Sequence, residues 1–256
     1  MGVPVGLAAF FLRIPIVLHE SDSVMGQANR FLSRFAKKIA VSFPLNTYRS
    51  LSPLLRHKLI YTGLPISNEF RTISPFRHHA TPPALLVTGG SQGARQINNL
   101  IVGVLPKLLN KYRLIHLSGE LDYPHLAEIR HQLPKALQES YELYPFKPLS
   151  EALPQADLVV SRAGATTLFE LAAAGKPAIL IPLPHSANHH QEKNAQFFAD
   201  HKAALLLRGR ETTPSKLLSL IQRLLKGNQE RRALSHQIKT LDQREAVKKL
   251  TQLVLE

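Results

Sequence analysis

The chain has 256 residues, no cysteine and a formal net charge of +14. The lack of cysteine excludes disulfide bonds and thiolate chemistry, and no apolar run reaches the ~18 residues that a membrane-spanning helix needs. The charge lies mainly at the two ends, because residues 1–80 carry a net +7 and residues 207–256 a net +6. This distribution indicates a polyanionic partner, either an anionic membrane surface or nucleic acid.

The N-terminal part of the chain predicts alternating helices and strands. The apolar segment Val3–Leu12 predicts a helix, and it lacks the basic flank and cleavage site of a signal peptide. Three strands are predicted, at Ile14–Leu18, Ile39–Phe43 and Leu59–Thr62. Three strands are too few for a complete Rossmann-like domain, so an apolar sheet edge would be left uncovered.

The segment Ala28–Lys38 carries two stripes of side chains at helical spacing. One stripe is apolar and the other basic: Phe31, Leu32 and Phe35, against Arg30, Arg34, Lys37 and Lys38. The pattern is typical of a helix that lies in an anionic membrane interface. A helix with its apolar stripe in the core and its charges in water has the same pattern, and both interpretations stay open.

A Pro-rich connector at about 73–83 separates this part from a longer alternation of strands and helices. The strands are predicted at Ala84–Thr88, Arg113–Ser118, Tyr141–Pro145, Asp157–Ser161, Ala178–Pro182 and Ala204–Leu207. Such alternation predicts a parallel α/β sheet with ligands at the carboxyl ends of its strands. The last segment, Pro214–Glu256, is basic and predicted to be helical.

A glycine loop follows the first strand of this second part. Gly89, Gly90 and Gly93 come directly after Ala84–Thr88, and a helical pattern follows them. Strand, glycine turn and helix direct unpaired N–H groups and the positive end of the helix dipole at an anion. The loop matches neither the Walker motif nor GxGxxG. A tight turn without a ligand would show the same glycines, but a second signature favours a phosphorylated ligand.

The second signature is SRAGATTLFE at Ser161–Glu170, which predicts a loop and then a helix over Thr166–Ala174, with Gly175 at its C′ position. Thr167 and Glu170 have the spacing of a capping box. Glu170 therefore either caps its own helix or accepts hydrogen bonds from a ribose diol. The two roles do not exclude each other, since a carboxylate has several lone pairs.

Four segments together resemble the MurG family. They read HESDSVMGQANRFLSRFAKKIAVSFP at His19–Pro44, GGSQGAR at Gly89–Arg95, DLVVSRAGATTLFELAAAGKPAILIPLPH at Asp157–His185 and HQEKNA at His190–Ala195. The resemblance implies an inverting hexosyltransferase of peptidoglycan synthesis, and so of cell wall biogenesis, cell shape and cell division. Such an enzyme moves N-acetylglucosamine (GlcNAc) from UDP-GlcNAc to lipid I, an undecaprenyl-linked muramoyl-pentapeptide, to form lipid II. No cofactor or metal is implied, and the expected location is peripheral, on the cytoplasmic face of the bacterial inner membrane.

The resemblance also implies an α/β fold of the GT-B type, in which two Rossmann-like domains face each other across a cleft. We expect residues 1–72 to form an incomplete N-terminal domain that faces the acceptor and the membrane, and residues 73–83 to be the linker. Residues 84–235 would bind UDP-GlcNAc in a complete Rossmann-like domain. Residues 236–256 would form a helix that braces the two domains.

By motif, the resemblance assigns the following contacts. The diphosphate would meet Ser91 with Gln92 and Gly93, and the uracil edge would meet the backbone at Phe146. The sugar nucleotide would be lined by Ala165, Thr166, Thr167, Leu168, Phe169 and Glu170, with Glu170 on the ribose. The sugar hydroxyls would meet His190 and Gln191. The membrane would meet Phe10, Phe11 and Arg34.

Three site positions depart from the family pattern. Asp22 stands where the HEQN asparagine contacts the sugar, and an ionised carboxylate cannot donate to a hydroxyl. Ser67 stands where an arginine is expected to contact the base. His190 replaces the first glutamine of a QQ pair. These changes put nucleotide affinity and sugar contacts in question.

The family's N-terminal glycine loop, with the histidine proposed as general base, has no counterpart in this chain. A start placed too late, a truncated gene and a split enzyme completed by a separate chain are three explanations that stay open. We therefore expect that the chain alone lacks an identifiable base.

Two other functions stay open: a non-catalytic UDP-sugar-binding half of a split enzyme, and a UDP-sugar transferase with a different lipid acceptor. No motif for nucleic acid binding stands out, and no His or acidic cluster has the spacing of a metal site. We therefore expect no nucleic acid partner and no metal.

Overall fold

The computed structural model describes residues 2–76, 82–90, 93–184 and 186–256. It contains two parallel sheets, one of three strands near the N-terminus and one of six strands. The strands are β1 (Val17–Glu20), β2 (Lys38–Val41), β3 (Leu59–Tyr61), β4 (Ala84–Thr88), β5 (Arg113–Leu117), β6 (Tyr141–Tyr144), β7 (Leu158–Ser161), β8 (Ala178–Leu180) and β9 (Leu205–Leu206).

Thirteen α-helices connect and cover the strands of the described residues. They are α1 (Gly2–Phe11), α2 (Gln27–Leu32), α3 (Pro53–Arg56), α4 (Arg95–Val102), α5 (Leu105–Leu109), α6 (Tyr123–Gln132), α7 (Lys135–Glu139), α8 (Leu149–Ala152), α9 (Ala165–Ala174), α10 (His190–Asp200), α11 (Pro214–Lys226), α12 (Asn228–Thr240) and α13 (Ala246–Leu255). The α/β class predicted from the sequence is confirmed.

The six-stranded sheet has the order β6-β5-β4-β7-β8-β9, with every pair parallel. Its central strands β4 and β7 are buried along their whole length, because helices cover both faces of a parallel sheet. The chain leaves β4 toward one side of the sheet and returns beside it as β7. Such a reversal of strand order opens a crevice at the carboxyl ends of the two central strands.

The smaller sheet has the order β1-β2-β3, also parallel. Its core is continuous with that of the large sheet across the domain boundary. The Phe43 ring, just after β2, packs edge-on against Phe169 of α9 at 5.2 Å and Phe197 of α10 at 5.1 Å between ring centroids. The carboxyl ends of the two sheets therefore face each other.

The C-terminal segment returns to the small sheet between α12 and α13. The Gln243 side chain accepts a hydrogen bond from the Leu64 N–H at 2.6 Å and donates to the Ser42 carbonyl at 2.6 Å. Asp242 forms an ion pair with Arg71 at 3.1 Å, with side chains only 4% and 14% exposed. The single helix expected over 236–256 is wrong, because these residues form the end of α12, a crossing segment and α13, and the boundary expected at residue 235 falls inside α12.

Other sequence predictions differ from the structure at the ends of elements. The first strand begins at Val17 rather than at residue 14, since the residues before it form the turn that follows α1. The amphipathic helix predicted over Ala28–Lys38 is wrong beyond Leu32. There the Ser33 hydroxyl donates to the Arg30 carbonyl at 2.7 Å, a local side-chain bond of the kind that competes with helix continuation.

Candidate active site

The glycine loop between β4 and α4 packs tightly against the end of β5. Gly93 has a φ of 74°, and a Cβ on this residue would lie 2.3 Å from the Ser118 carbonyl oxygen. Gly90 also has a positive φ of 84°, but it faces open space. Glycine is therefore required at 93 by both conformation and packing, and at 90 by conformation alone. Ser91 and Gln92, the predicted diphosphate contacts, lie outside the described residues.

A cavity of about 200 Å³ opens beside this loop, at the carboxyl ends of β4, β5 and β6 and the first turns of α9. It is lined by Thr88, Gly90, Leu117, Pro145, Phe146, Lys147, Leu149, Thr167 and Glu170. Phe146, Thr167 and Glu170 were predicted as site residues, and the structure brings these three together. Lys147 was missed, although its place directly after a predicted strand end was a usable signal. It contributes a cation to the cavity and lies 4.8 Å from the Tyr144 ring centroid.

Glu170 is the carboxylate of this cavity. Burial raises its pKa to about 7, and the nearby charge of Glu69 adds to the increase. The capping box predicted for Thr167 and Glu170 is wrong, because α9 begins at Ala165 with Gly164 as its N-cap. Thr167 therefore lies inside the helix, and Glu170 makes no hydrogen bond to another described residue. Its carboxylate is available to a ligand.

The other predicted residues of α9 do not face the cavity. Leu168 and Phe169 are buried, with 0% and 2% of their surfaces exposed, and Ala165 is buried as well. Thr166 is exposed but does not line the cavity. The helical repeat explains this split, since positions 167 and 170 lie one turn apart on one face while 168 and 169 face the core. C-terminal to this helix, Gly175 has the predicted left-handed conformation, with φ of 67°.

Arg162 holds the loop after β7 in place. Its guanidinium, largely buried, donates to the carbonyls of Ile181 and Pro182 at 3.1 and 3.0 Å and to the Gln96 side chain at 2.9 Å. Burial lowers the pKa of Arg162. These bonds tie the ends of β7 and β8 to α4, so the two loop-helix signatures form one rigid unit.

Asp22, predicted to face the sugar, lies at the boundary between the two halves of the molecule. Its Oδ2 is 2.9 Å from Nδ1 of His190, and its Oδ1 accepts from Asn194 at 2.7 Å. Asn194 is fully buried and also accepts from the backbone N–H of Ser23 at 2.9 Å. The structure thus brings together Asp22 and His190, two departures from the family pattern. Asn194 was not among the residues predicted from the sequence, although the segment HQEKNA was a usable signal for it.

The remaining predicted contacts lie around these two groups. The Gln191 side chain accepts from the Leu183 N–H at 3.0 Å, in the loop after β8. Ser67 is exposed and precedes the 3₁₀ segment Asn68–Thr72, which packs on α9. Phe146 is 61% exposed at the mouth of the cavity.

An exposed apolar cluster lies on α1 and α2, away from this site in the chain. Phe10 and Phe11 are 47% and 78% exposed, and the Phe10 ring packs against that of Phe35 at a tilt of 47°, with ring centroids 4.5 Å apart. The Arg34 guanidinium lies 6.0 Å from the centroid of the Phe31 ring. Apolar and basic side chains thus lie side by side, but Arg34 and Phe35 follow the end of α2 instead of lying on the predicted helix.

Across the described ranges, no group of three His, Asp or Glu side chains is arranged to hold a metal ion. Nor does any helix within those ranges combine the length and the apolar character needed to cross a bilayer.

Two facing parallel α/β units, with a glycine loop and a cavity that holds Glu170 and Lys147 at the strand ends of the larger sheet, define a glycosyltransferase of the GT-B fold. The profile of the glycosyltransferase family 28 C-terminal domain matches residues 84–252, and that of the family 28 N-terminal domain matches residues 1–41. The chain belongs to the MurG family of hexosyltransferases, within glycosyltransferase family 28.

The relatives support this assignment over almost the whole chain. A Bacillus cytotoxicus protein is 36% identical over 98% of this chain and 70% of its own length. A Treponema denticola protein is 38% identical over 88% of this chain and 60% of its own length. Both are named UDP-N-acetylglucosamine–N-acetylmuramyl-(pentapeptide) pyrophosphoryl-undecaprenol N-acetylglucosamine transferase.

Solved structures have the same fold. The crystal structure of Acinetobacter baumannii MurG superposes with a TM-score of 0.76 at 27% identity, covering 99% of this chain and 70% of that one. The glycosyltransferase of kitacinnamycin superposes with a TM-score of 0.65 at 18% identity, covering 96% of this chain and 70% of its own, and is similar in fold.

Proposed function

We propose that this chain transfers GlcNAc from UDP-GlcNAc to an undecaprenyl-linked muramoyl-pentapeptide acceptor. The observation that carries the proposal is the cavity of about 200 Å³ at the strand ends, with Glu170 inside it and the glycine loop at its rim. A carboxylate that makes no hydrogen bond to another described residue is suited, when ionised, to accept hydrogen bonds from the two hydroxyls of a ribose.

In this proposal the uracil lies against the backbone at Phe146 and the diphosphate lies over the loop that includes Gly93. The leaving group is UDP, whose negative charge grows as the bond to the sugar breaks. Backbone N–H groups and the N-termini of α4 and α9 would stabilise that charge, which is the preorganised electrostatics that favours departure of an anion. Lys147 adds a positive charge at the same cavity.

We further propose that residues 84–235 bind the donor and that residues 1–72 face the acceptor at the cytoplasmic face of the membrane. The exposed rings of Phe10 and Phe11, and the Arg34 guanidinium over the Phe31 ring, support contact with an anionic membrane surface. Apolar side chains enter the interface while cations meet lipid phosphates. The protein would then act on its lipid-linked acceptor without entering the bilayer.

Calorimetric titration of UDP-GlcNAc into the purified chain tests the donor site. We expect saturable binding that strengthens as pH rises through about 7, because the carboxylate of Glu170 loses its proton in that range. Glu170→Gln should weaken binding about tenfold at pH 8 and remove this pH dependence, through loss of charge-assisted hydrogen bonds. Glu128→Gln, on the exposed face of α6, is the matched control and should change nothing.

The absence of binding to a folded chain would overturn the proposed function. Tighter binding of another UDP-sugar than of UDP-GlcNAc would instead favour a transferase with a different donor or acceptor. Donor binding without transfer to lipid I by the same preparation would favour a binding half that works with a separate chain.

A further inference from the structure

Asp22 and His190 form a hydrogen-bonded pair, and this pair indicates a role for Asp22. A carboxylate oxygen can only accept a hydrogen bond, so Nδ1 of His190, 2.9 Å from Oδ2, must carry the shared hydrogen. In the neutral imidazole, Nε2 then has no hydrogen and is an acceptor. Nε2 makes no hydrogen bond to another described residue, and the His190 side chain is 31% exposed.

The carboxylate is itself held in one orientation by its neighbours. Its second oxygen accepts from Nδ2 of Asn194 at 2.7 Å. The Asn194 amide cannot be reversed, because its Oδ1 accepts from the Ser23 N–H at 2.9 Å while its Nδ2 also donates to the Ala163 carbonyl at 3.2 Å. A buried amide therefore aligns the carboxylate, and the carboxylate aligns the imidazole.

The backbone fixes the histidine as well. His190 is the first residue of α10, and the two residues before it, Asn188 and His189, have left-handed φ values of 53° and 54°. The bond from Asn194 to Ala163 places this group at the loop between β7 and α9. It lies beside the helix that carries Thr167 and Glu170 but does not line their cavity.

We propose that Asp22 is a positioning residue that acts through His190. It holds the imidazole as the Nδ1–H tautomer, so that Nε2 accepts a hydrogen bond from a hydroxyl of the donor sugar. Asp22 then does not itself need to touch the sugar. This inference rests on the proposed function for its ligand, while the tautomer is a property of the protein alone.

The charged neighbours are consistent with this arrangement. Glu20, two residues before Asp22, is engaged by three donors: the N–H groups of Asp22 and Gly26 and the side chain of Asn29. On α10, Glu192 lies 3.2 Å from Arg208 and 3.6 Å from His189. Both carboxylates have other partners, so Asp22 is the acidic group on His190.

A double-mutant cycle with Asp22→Asn and His190→Gln tests the proposal. Asp22→Asn removes the charge-assisted hydrogen bond that orients the imidazole, so it should raise the Kd for UDP-GlcNAc about tenfold. In the His190→Gln background the same change should have less than about a twofold effect, because the group through which it acts is gone. Asp200→Asn, at the exposed end of α10, is the matched control and should leave the Kd unchanged.

Two further measurements separate positioning from a structural role. The affinity for UDP, which lacks the sugar, should not change in Asp22→Asn. A general loss of domain packing would instead weaken the binding of both UDP and UDP-GlcNAc. Nitrogen-15 chemical shifts of the His190 ring should report protonated Nδ1 and unprotonated Nε2 in the wild type, and a mixture of tautomers in Asp22→Asn.

Equal effects of Asp22→Asn in both backgrounds, or a wild-type ring protonated only at Nε2, would overturn this role for Asp22. Those results would leave the proposed function intact if Glu170→Gln still weakened UDP-GlcNAc binding. Failure of the wild type to bind any UDP-sugar would refute the proposed function and the sugar contact together, and the tautomer measurement would still decide whether Asp22 sets the ring.

Discussion

The two sheets of this molecule differ in what keeps them folded. In the six-stranded sheet, helices cover both faces, and the central strands β4 and β7 are fully buried. In the three-stranded sheet, residues alternate between buried and half-buried along β1, and β3 is buried only at its start. The small sheet depends on distant parts of the chain, above all on Asp242 and Gln243.

The donor-binding cavity and the arrangement of the two sheets therefore have separate structural supports. The cavity with Glu170 is built wholly on the six-stranded half. The small sheet reaches that half through Asp22 and Phe43, and the C-terminal crossing holds it at Ser42 and Leu64. Each support can therefore be weakened alone.

The largest effect should come from Asp242→Ala. It leaves Arg71, 14% exposed, without its carboxylate, and breaking a buried ion pair from one side costs about 3 kcal/mol. Amide hydrogen exchange should speed up in β1–β3 and stay nearly unchanged in β4–β8. Arg244→Ala removes the exposed partner of the same carboxylate and should cost less than about 1 kcal/mol. Uniform loss of protection in both sheets would contradict the separation of supports.

Next in size is the contrast between Gly93→Ala and Gly90→Ala within the glycine loop. Both force a side chain into a positive φ, which costs about 1 kcal/mol, but only at 93 would the Cβ lie 2.3 Å from the Ser118 carbonyl. We expect about 2 kcal/mol of destabilisation for Gly93→Ala, with the loop displaced and UDP-GlcNAc binding lost. Thermal unfolding and titration with UDP-GlcNAc of both variants check this. Equal stability and equal affinity of the two variants would show that the close packing of residue 93 against the Ser118 carbonyl is unimportant.

A smaller effect concerns acid stability of the six-stranded half. His116 is fully buried between Asn98 and Tyr141, and this burial lowers its pKa to about 3 although Asp122 opposes the shift. In the unfolded chain the His116 imidazole takes up a proton near pH 6.5, whereas in the folded chain it stays neutral. The free energy of unfolding is therefore highest above pH 6.5 and decreases below it, by about 1 kcal/mol between pH 7 and pH 5.5.

Denaturant unfolding of the wild type and of His116→Gln gives the free energy of unfolding at pH 7 and at pH 5.5. The change between the two pH values should be larger in the wild type than in the variant. The variant will be less stable at both, but it should lack this part of the pH dependence. An identical pH dependence in the two proteins would rule out His116 as its source.

The smallest effect should be a shift in the pH dependence of donor binding. Glu69 lies on the segment that follows the small sheet, and its charge contributes to the raised pKa of Glu170, about 7. Glu69→Gln removes that charge, so the midpoint of the pH dependence should fall by less than about one unit. Calorimetry across pH 5.5–8.5 checks this, with Glu139→Gln on exposed α7 as the control. An unchanged midpoint in Glu69→Gln would mean that burial alone raises the pKa of Glu170.

By itself, the sequence determined the local elements and the motifs. Strand periodicity, the glycines after β4 and the C′ position of Gly175 all depend on neighbours within a few residues, so the alternation of strands and helices was predictable. The segments at Gly89–Arg95 and Asp157–His185 also sufficed to indicate the family. The end of α2 and the N-cap of α9 were predicted wrongly, because helix ends depend on hydrogen bonds that no periodicity records.

Contacts between distant residues became visible in the folded molecule alone. Asp22 and His190 are 168 positions apart, and Arg71 and Asp242 are 171 apart. Burial of the Glu170 carboxylate and the charge of Glu69 together set its pKa, and neither can be derived from spacing along the chain. The reason is physical: local pattern reports the conformation of one segment, whereas electrostatics and hydrogen-bond pairing at a site depend on the packing of several.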